Sequence, residues 1–241
     1  QVEEEARVDA LTGLLNRRSF DRRLAAEHRR AGRFSKPYAL ALLDIDHFKR
    51  VNDGYGHPAG DAVLAQLGQI LARQFREVDV VARYGGEEFA IILPEIGGHI
   101  ARDVAERVRR AVAATPFALP DGREIGVTIS IGVSSYPDSA ASPEAVVSTA
   151  DQALYTAKQA GRNRVMLYHE TLKARIEKDP DLIVALLGEG PDNVLPVVTA
   201  VSAKAPFLRP HTEKVMETAA LLAQALELPA GERDMLRLAA Q

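Results

Sequence analysis

Apolar runs separated by charged segments divide the first two thirds of the chain into alternating strands and helices. The continuous runs YALALLDI at 38–45 and EFAIILP at 88–94 are typical of short strands buried on both faces. β-Branched residues predict another strand at 126–136, and shorter strands are predicted at 78–84 and 163–168. These segments predict one sheet with helices between its strands.

Apolar residues at helical spacing predict three helices between these strands. One helix spans 61–75, with Asp61 in the N-cap position. A second helix spans 103–113, and a third begins after a Ser142 cap and ends at Gly161.

Two glycines, Gly85 and Gly86, join the predicted strands at 78–84 and 88–94. A Gly-Gly pair between two apolar runs favours a tight hairpin, and the strands of a hairpin are antiparallel. An all-parallel, doubly wound sheet is therefore excluded. We predict an α+β (α/β) fold, in which helices flank a mixed, largely antiparallel sheet.

The character of the sequence changes after Tyr168. A charged segment and a Gly/Pro loop are followed by helical patterns, which predict a short all-helical C-terminal region. We place the first domain at 1–169 and the helical region at 170–241. The chain opens within the pattern QVEEEARV and stops within the helical pattern MLRLAAQ, so we expect it to be a fragment of a longer protein.

Composition narrows the class of protein. A net charge of −3 over 241 residues gives no electrostatic reason to expect nucleic acid or an anionic membrane as a partner. The six arginines between positions 17 and 30 are interpreted as a solvated helix face. Cysteine is absent, which excludes disulfides and thiolate chemistry and agrees with a cytoplasmic location. No apolar run approaches the ~20 residues of a membrane span.

The first candidate for chemistry lies where the strand at 38–45 ends. Asp44 and Asp46 close this strand, and we expect only one of them to point at a given site. A calcium loop of the EF-hand type is excluded, because Lys49 stands where its sixth position needs Gly and Tyr55 where its twelfth needs Glu. A capped strand end and a magnesium site remain as interpretations.

The second candidate is the acid pair Glu87 and Glu88, directly after the two glycines. If the hairpin adjoins the Asp44 strand, Glu87 could meet Asp44 across the two strands. Carboxylates held close together repel one another unless a cation lies between them. A metal held by few protein oxygens usually completes its coordination with substrate phosphates, so this pairing predicts a phosphate-containing substrate.

The chain contains no P-loop motif, so phosphates would need other partners. The backbone amides from His47 through Phe48 to Lys49 are one candidate. Lys158 and Arg162, four residues apart at the end of a predicted helix, are the other.

Five blocks of sequence resemble the GGDEF family of diguanylate cyclases, in order and in spacing. They are DALTGLLNRRSF, DIDHFKRVNDGYGHPAGD, RYGGEEF, TISIGVSSY and AKQAGRNRV, and they fall between residues 8 and 168. The resemblance implies a ferredoxin-like sheet related to nucleotide-cyclase and polymerase palm domains. It also implies condensation of two GTP into cyclic di-GMP and two pyrophosphates, with Mg²⁺ or Mn²⁺. Because each domain would bind one GTP, it implies a catalytic homodimer.

The resemblance also assigns expected roles to residues of this chain. The metal ligands would be Asp44, Glu87 and the carbonyl of Ile45. The catalytic residues would be Asp44, Glu87, Glu88 and Lys158. The substrate-binding residues would be Asn52, Asp61, His47, Phe48, Lys49, Gly85, Gly86, Lys158 and Arg162. Asn52 and Asp61 are the pair expected to read guanine. The motif here is GGEEF, so Glu87 replaces the family's Asp and keeps the carboxylate.

The tetrapeptide REVD, from Arg76 to Asp79, has two interpretations. It could be an ordinary polar connection between a helix and a strand. In this family an RxxD sequence at this position resembles the inhibitory site that binds the product, cyclic di-GMP. Arginine suits that role because it binds phosphate bidentately and stacks on guanine. Arg107 would supply a further arginine to that site.

Resemblance also bears on the two ends of the chain. Residues 1–8 resemble the end of a helical linker from an upstream domain. The helical tail resembles the start of an HD-type (HD-GYP-like) phosphohydrolase domain, cut before its metal-binding His-Asp dyad. Since His211 alone cannot build that site, we expect this piece to be catalytically silent here.

Two alternatives to an active cyclase are considered. One is a regulatory module that senses GTP or cyclic di-GMP and controls a downstream HD domain. The other is a cyclase that makes adenine-containing cyclic dinucleotides. Asp61 argues against the second, because its carboxylate suits the N–H donors of guanine that adenine lacks.

Overall fold

The computed structural model describes residues 7–168 and Glu170. The predicted C-terminal helices, the HD-type segment with His211 and most of the N-terminal linker lie outside these residues. The helices are α1 (Arg17–Phe34), α2 (Phe48–Tyr55), α3 (His57–Gln74), α4 (Gly98–Ala114) and α5 (Pro143–Gln159). The strands are β1 (Tyr38–Ile45), β2 (Val80–Arg83), β3 (Glu88–Pro94), β4 (Pro116–Ala118), β5 (Glu124–Gly126), β6 (Ile129–Tyr136) and β7 (Val165–Leu167). Among the described helices, none is long and apolar enough to cross a membrane.

Five strands form one sheet in the order β2-β3-β1-β6-β7. Every neighbouring pair is antiparallel except β6 and β7, which run parallel. The strands β4 and β5 form a separate two-stranded sheet. The predicted mixed, largely antiparallel sheet is confirmed, and so is the antiparallel hairpin of β2 and β3.

The central strand β1 is buried along its whole length, between two layers of helices. Alternate side chains from Ala39 to Ile45 join a core that α3 and α4 cover. The intervening side chains, from Tyr38 to Leu42, join a second core covered by α1 and α5. A strand buried on both faces reads as an unbroken apolar run, which explains why its bounds were predicted correctly.

The predicted bounds of β3 and the predicted start of α5 are also confirmed. The Ser142 hydroxyl oxygen accepts a hydrogen bond from the Ala145 N–H at 3.1 Å, as an N-cap does, and Pro143 opens the helix. Other bounds differ. The predicted strand at 78–84 shortens to β2, and the run at 126–136 divides between β5 and β6.

The segment between β1 and β2 contains the largest error of the prediction. The helix α2 was not predicted, and α3 begins at His57 rather than after Asp61. Gly56 is the N-cap of α3 and Pro58 lies in its first turn, so Asp61 is inside the helix and caps nothing. This error matters for the site, because it places Asp61 one turn inside a helix that packs on α2.

Candidate functional site

The ends of two neighbouring strands bring the predicted acids together. In the β1–β3 pair Asp44 lies directly opposite Glu88, so their side chains point to the same face of the sheet. Glu87 precedes β3, and its carbonyl oxygen accepts a 3.4 Å hydrogen bond from the N–H of Ile45. The residue paired with Asp44 in the sheet is therefore Glu88, and Glu87 lies near Asp44 from the turn that precedes β3.

We call Asp44, Glu87 and Glu88 the acidic rim. Burial raises the pKa of Asp44, and the Lys158 ammonium opposes that rise through a contact of 2.8 Å between Lys158 Nζ and Asp44 Oδ2. Burial also raises the pKa of Glu87, and the negative charge of Asp44 raises it further. Asp44 and Glu87 are thus close enough to repel one another, as a shared cation site requires.

The two predicted phosphate cations occupy different positions. Lys158, in the last turn of α5, lies against the acidic rim through its contact with Asp44. Arg162 follows the helix in a left-handed backbone conformation, with φ of 61°. Its guanidinium makes no hydrogen bond or ion pair with any described residue. The structure therefore brings Lys158 onto the rim and leaves the Arg162 side chain exposed beside it.

The turn between β2 and β3 is not the tight two-residue hairpin that the Gly-Gly pair predicts. The N–H groups of Tyr84 and Gly85 both donate to the Glu88 carbonyl oxygen, at 2.8 and 3.1 Å. Neither Gly85 nor Gly86 has a positive φ, so backbone freedom does not explain them. A Cβ on Gly85 would collide with the Glu88 carboxylate, whereas a Cβ on Gly86 would meet no described atom within 4 Å. Gly86 therefore keeps open space on the outside of the turn.

A brace that the sequence did not reveal holds this turn. The Arg83 guanidinium donates to the Gly86 carbonyl oxygen at 2.7 and 3.2 Å, and to the Asp9 carboxylate at 3.1 and 3.3 Å. Asp9 also accepts hydrogen bonds from the N–H and hydroxyl of Thr12. One indication of this brace was present in the sequence: Asp9, Thr12 and Arg83 belong to the blocks DALTGLLNRRSF and RYGGEEF. No role was predicted for these three residues.

Asp46 lies on the same side of the sheet as Asp44, because residues two apart in a strand share a face and Ser130, which donates a hydrogen bond to Asp46, pairs with Asp44. Besides burial, the negative charge of Asp46 accordingly raises the pKa of Asp44. Its own hydrogen bonds separate Asp46 from the rim. The strand ends at Ile45, and the Asp46 carboxylate accepts hydrogen bonds from the hydroxyls of Thr128 and Ser130, both at 2.7 Å. Asp44 is therefore the acid that remains for the site.

The helices α2 and α3 hold the two residues expected to read guanine. A Cβ on Gly60 would overlap Asn52 Oδ1, so the Asn52 carboxamide lies against α3, beside the exposed Asp61. The Phe48 side chain is buried in the core, which leaves only its backbone N–H, in the first turn of α2, for a ligand. His47 and Lys49, on either side, are exposed.

The second predicted site is the connection between α3 and β2. We call residues 76–79 the RxxD turn. The Asp79 carboxylate accepts hydrogen bonds from the Arg76 backbone N–H at 2.8 Å and from its guanidinium at 2.7 and 3.2 Å. Arg107, on α4, donates to the Gln74 carbonyl oxygen at 2.9 Å. The three residues predicted for the inhibitory site therefore lie in one region of the structure.

The RxxD turn borders a cavity of about 970 Å³. Arg76 and Asp79 line it on one side, and Arg23 and Arg30 of α1 line it on the other. The α1 arginines were interpreted as a solvated helix face, but Arg23 and Arg30 line this cavity. Glu27 and Glu95 accept hydrogen bonds from the Arg30 guanidinium, which raises the Arg30 pKa.

A divalent metal fits the acidic rim as an open site. No group of three or more His, Cys, Asp or Glu side chains that could enclose a metal occurs within residues 7–168. Of the rim acids, Asp44 and Glu87 offer the two carboxylates expected to hold a metal, and the carbonyl of Ile45 lies at the same strand end. Mg²⁺ favours such hard oxygen donors and commonly takes its other ligands from substrate phosphates.

Comparison with known proteins agrees with this geometry. The family model described as "Diguanylate cyclase, GGDEF domain" matches residues 6–164. The chain belongs to the GGDEF family. The diguanylate cyclase DgcP of Pseudomonas aeruginosa is 45% identical over 162 residues, which cover 67% of this chain and 24% of that protein. The response regulator PleD of Caulobacter vibrioides is 44% identical over 164 residues, which cover 68% and 36%. This chain thus spans less than half of the length of these relatives.

Solved GGDEF structures share the fold. The GGDEF domain of DgcB from Caulobacter crescentus, solved in complex with c-di-GMP, matches with a TM-score of 0.65 and 35% identity, over 70% of this chain and 99% of that chain. The active GGEEF domain of a diguanylate cyclase from Vibrio cholerae matches with a TM-score of 0.60 and 35% identity, over 64% and 97%. The predicted fold class is confirmed. GGDEF cyclases generally depend on a divalent metal, in agreement with the donors of the acidic rim.

Proposed function

We propose that this GGDEF domain is a diguanylate cyclase that condenses two GTP into cyclic di-GMP and two pyrophosphates. The observation that carries the proposal is the acidic rim, where the buried Asp44 contacts the ammonium of Lys158 at 2.8 Å and its negative charge, together with burial, raises the pKa of Glu87. Such a site suits a metal-bound triphosphate. The named activity of DgcP and of the Vibrio cholerae GGEEF domain supports the same reaction.

In this proposal the acidic rim binds the metal and orients the nucleophile. Asp44, Glu87 and the Ile45 carbonyl hold Mg²⁺ or Mn²⁺. When bound, the dication lowers the pKa of the attacking 3′-hydroxyl and neutralises charge on the leaving pyrophosphate. Glu88, opposite Asp44 on the same face, orients or deprotonates that hydroxyl. Lys158 is within reach of phosphates bound at the rim, since its ammonium already contacts Asp44.

The rest of the substrate would bind along α2 and α3. The N–H groups of His47, Phe48 and Lys49 donate to phosphate oxygens at the start of α2, and Arg162 supplies a second cation. The Asp61 carboxylate accepts hydrogen bonds from the N–H groups of guanine, and the Asn52 carboxamide can both donate to the base and accept from it. The open space outside Gly86, beside Gly85, admits the nucleotide close to the backbone.

The reaction needs two copies of this site. Each 3′-oxygen forms a bond to the α-phosphorus of the other GTP, the bond from that phosphorus to the leaving pyrophosphate breaks, and the hydroxyl proton is released. Because one domain binds one GTP, the two sites must face each other across a two-fold axis. We therefore propose a homodimer as the active species.

We also propose that the product inhibits the enzyme at the RxxD turn. Arg76 and Arg107 would bind phosphate or stack on guanine, and Asp79 would hold Arg76 in place or accept a base N–H. The cavity beside the turn, of about 970 Å³, is large enough for a ligand of nucleotide size. The complex of the DgcB GGDEF domain with c-di-GMP supports a family capacity to bind the product.

The direct test is to incubate the protein with GTP and Mg²⁺ and to separate the nucleotides. We expect cyclic di-GMP and pyrophosphate, with a rate per domain that rises with protein concentration as dimers form. Chelation of the metal should stop the reaction, and ATP should not replace GTP. Bound GTP without any cyclic product at high protein concentration would contradict the proposal and favour the sensory module.

A further inference from the structure

A buried acid outside the acidic rim connects the metal-binding strand end to the proposed phosphate cation. Asp46 is only 7% exposed, and its carboxylate has a third partner besides the hydroxyls of Thr128 and Ser130. It accepts a 2.9 Å hydrogen bond from the backbone N–H of Asn163, which is 117 residues away in sequence. Asp46 therefore joins the end of β1 to the residue that follows Arg162.

The segment that Asp46 holds has an unfavourable backbone conformation. Arg162 and Asn163 both adopt positive φ, at 61° and 46°, directly after Gly161 at 109°. Two successive non-glycine residues in the left-handed region are strained, and such a conformation persists only when surrounding contacts fix it. The hydrogen bond from Asn163 to a buried carboxylate is a contact of that kind, because the acceptor is charged and shielded from water.

A second contact holds the same residue from the opposite side. The Arg109 guanidinium, on α4, donates to the side-chain oxygen of Asn163 at 2.5 Å. Arg109 is itself fixed by Glu106, which accepts two hydrogen bonds from it at 2.7 and 2.8 Å. Asn163 is thus held through its main chain by Asp46 and through its side chain by Arg109.

Arg162 is fixed at its backbone while its side chain stays available. Its N–H donates to the Ala157 carbonyl oxygen at 3.0 Å, and its own carbonyl oxygen accepts a 3.0 Å hydrogen bond from Arg164. Among the described residues its guanidinium has no partner. The position of this cation is therefore set by its backbone, which Ala157 holds on one side and the anchored Asn163 on the other.

We propose that Asp46 is a positioning residue that fixes Arg162 for the GTP triphosphate, with Arg109 as a weaker second support. Asp46 touches neither nucleotide nor metal in this role. It acts through the Asn163 N–H and the strained turn. The inference rests on the proposed function of Arg162 as a phosphate-binding cation.

The test is a double-mutant cycle that reads the affinity for GTP by calorimetry, together with KM and kcat. Asp46→Ala removes all three hydrogen bonds, and we expect it to weaken GTP binding and raise KM by about tenfold, since a misplaced binding group loses most of its contribution. In an Arg162→Ala background the same change should weaken GTP binding by less than about twofold, because there is no cation left to position.

Two further variants separate positioning from mere stabilisation. In Asp46→Asn the amide oxygen can still accept from Thr128 and Asn163 while its NH₂ donates to the Ser130 hydroxyl, so most of the affinity should return. Ser134→Ala removes a different buried hydrogen bond of β6, the 2.6 Å contact of Ser134 with Thr149. It should lower the melting temperature without changing the affinity for GTP.

The outcomes are distinct from those that test the cyclase itself. The positioning role would be overturned if Asp46→Ala weakened GTP binding equally in the wild-type and Arg162→Ala backgrounds. A fall in kcat with no change in GTP affinity would overturn it as well. So would a matching loss of affinity in Ser134→Ala. If Arg162→Ala binds GTP normally, both this inference and the phosphate role of Arg162 fail. A wild-type domain that binds GTP but forms no product would end the proposed function, and the affinity cycle would still decide the role of Asp46.

Discussion

The acidic rim and the RxxD turn, both on this domain, hold their charges in opposite ways. At the rim, Asp44 and Glu87 lie near one another, Lys158 is the one cation of residues 7–168 that contacts Asp44, and burial raises the pKa of both acids. At the RxxD turn, the guanidinium and the N–H of Arg76 both donate to Asp79, so this acid is paired with a cation three residues away. The rim has an excess of acid around one ammonium, whereas Asp79 of the RxxD turn has an arginine of its own.

This difference indicates what each region can receive. Excess acid at the rim favours an added cation, and a metal that brings phosphate satisfies it. At the RxxD turn, Asp79 already occupies donors of Arg76. The Arg76 side chain is 56% exposed, so a ligand can reach its guanidinium, but the Asp79 side chain is only 3% exposed and would be left without its cation if Arg76 turned away. Metal binding at the rim should therefore be essential, whereas product binding at the turn should depend on contacts that leave the Arg76–Asp79 pair in place.

The largest expected effect comes from removing charge at the acidic rim. Glu87→Gln keeps the shape of the side chain but removes a proposed metal ligand. We expect kcat to fall by at least about 100-fold, because a catalytic metal contributes several kcal/mol to the transition state. The measurement is steady-state production of cyclic di-GMP over a series of Mg²⁺ concentrations.

A matched charge control makes this result specific. Glu124→Gln removes an exposed acid on β5, away from the rim, and should leave turnover near the wild-type value. If Glu87→Gln and Glu124→Gln form cyclic di-GMP at the same rate, the acidic rim is not the metal site. The contrast between the rim and the RxxD turn would then not hold.

The next effect concerns the glycines of the GGEEF turn. A Cβ on Gly86 would meet no described atom, and its φ is not positive, so Gly86→Ala should fold with an unchanged melting temperature. If the open space admits the nucleotide, KM for GTP should rise by about tenfold, as expected when a methyl group intrudes on a fitted ligand. Thermal unfolding and steady-state kinetics measure the two quantities.

Gly85→Ala is the comparison variant for that experiment. Its Cβ would displace the Glu88 carboxylate, so we expect kcat to fall more than KM rises. Unchanged kinetics in Gly86→Ala would show that the glycines serve the turn alone, and would remove the proposed close approach of GTP.

The RxxD turn should give an effect on inhibition rather than on catalysis. Arg76→Ala removes the guanidinium proposed to bind the product, and we expect the concentration of cyclic di-GMP for half-inhibition to rise by about tenfold or more. Arg73→Ala, an exposed arginine one turn earlier on α3, is the matched control. Equal sensitivity of the two variants to added product would place the inhibitory site elsewhere.

Local sequence was sufficient where burial or a helix cap left its own pattern in the residues of the element. Every position of β1 is buried, so its apolar run marks its bounds, and the Ser142–Pro143 pair marks the start of α5. It was insufficient for α2, which contains the poor helix formers Asp53 and Gly54. Burial of Phe48 in the core stabilises that helix, and this tertiary contact has no local signal.

Family resemblance placed the site residues, but it did not reveal what holds them. Asp46 binds the backbone of Asn163 across 117 residues, and Arg83 binds Asp9 across 74. Neither pairing follows from periodicity or motif spacing, because each depends on how separate elements meet in space. The register that pairs Asp44 with Glu88 has the same origin, since a shift of one residue along β3 cannot be read from its apolar run.

The smallest expected effect is a pH-dependent change in stability, and its sign should differ between unpaired and paired acids. Burial and the charge of Asp44 raise the pKa of Glu87 above its ordinary 4.5, so ionised Glu87 costs stability near neutral pH. This destabilisation disappears as the pH falls through the pKa of Glu87 in the folded protein towards 4.5, because Glu87 then becomes protonated. Glu87→Gln should therefore melt at most a few degrees above wild type at pH 7, and the difference should vanish in acid.

Glu106 provides the contrasting case of an acid paired with arginine. Hydrogen bonds from Arg109 and Arg110 lower its pKa from 4.5 to about 2. Its pairing therefore stabilises the fold above pH 4.5, and that contribution is lost as the pH falls from 4.5 towards 2. Glu106→Gln should have a lower melting temperature than wild type at pH 7, and this difference should disappear as the pH falls from 4.5 towards 2. Thermal unfolding of both variants from pH 7 down to about pH 2 measures the two differences, and shifts of the same sign at pH 7 would show that the rim is not strained by its charges.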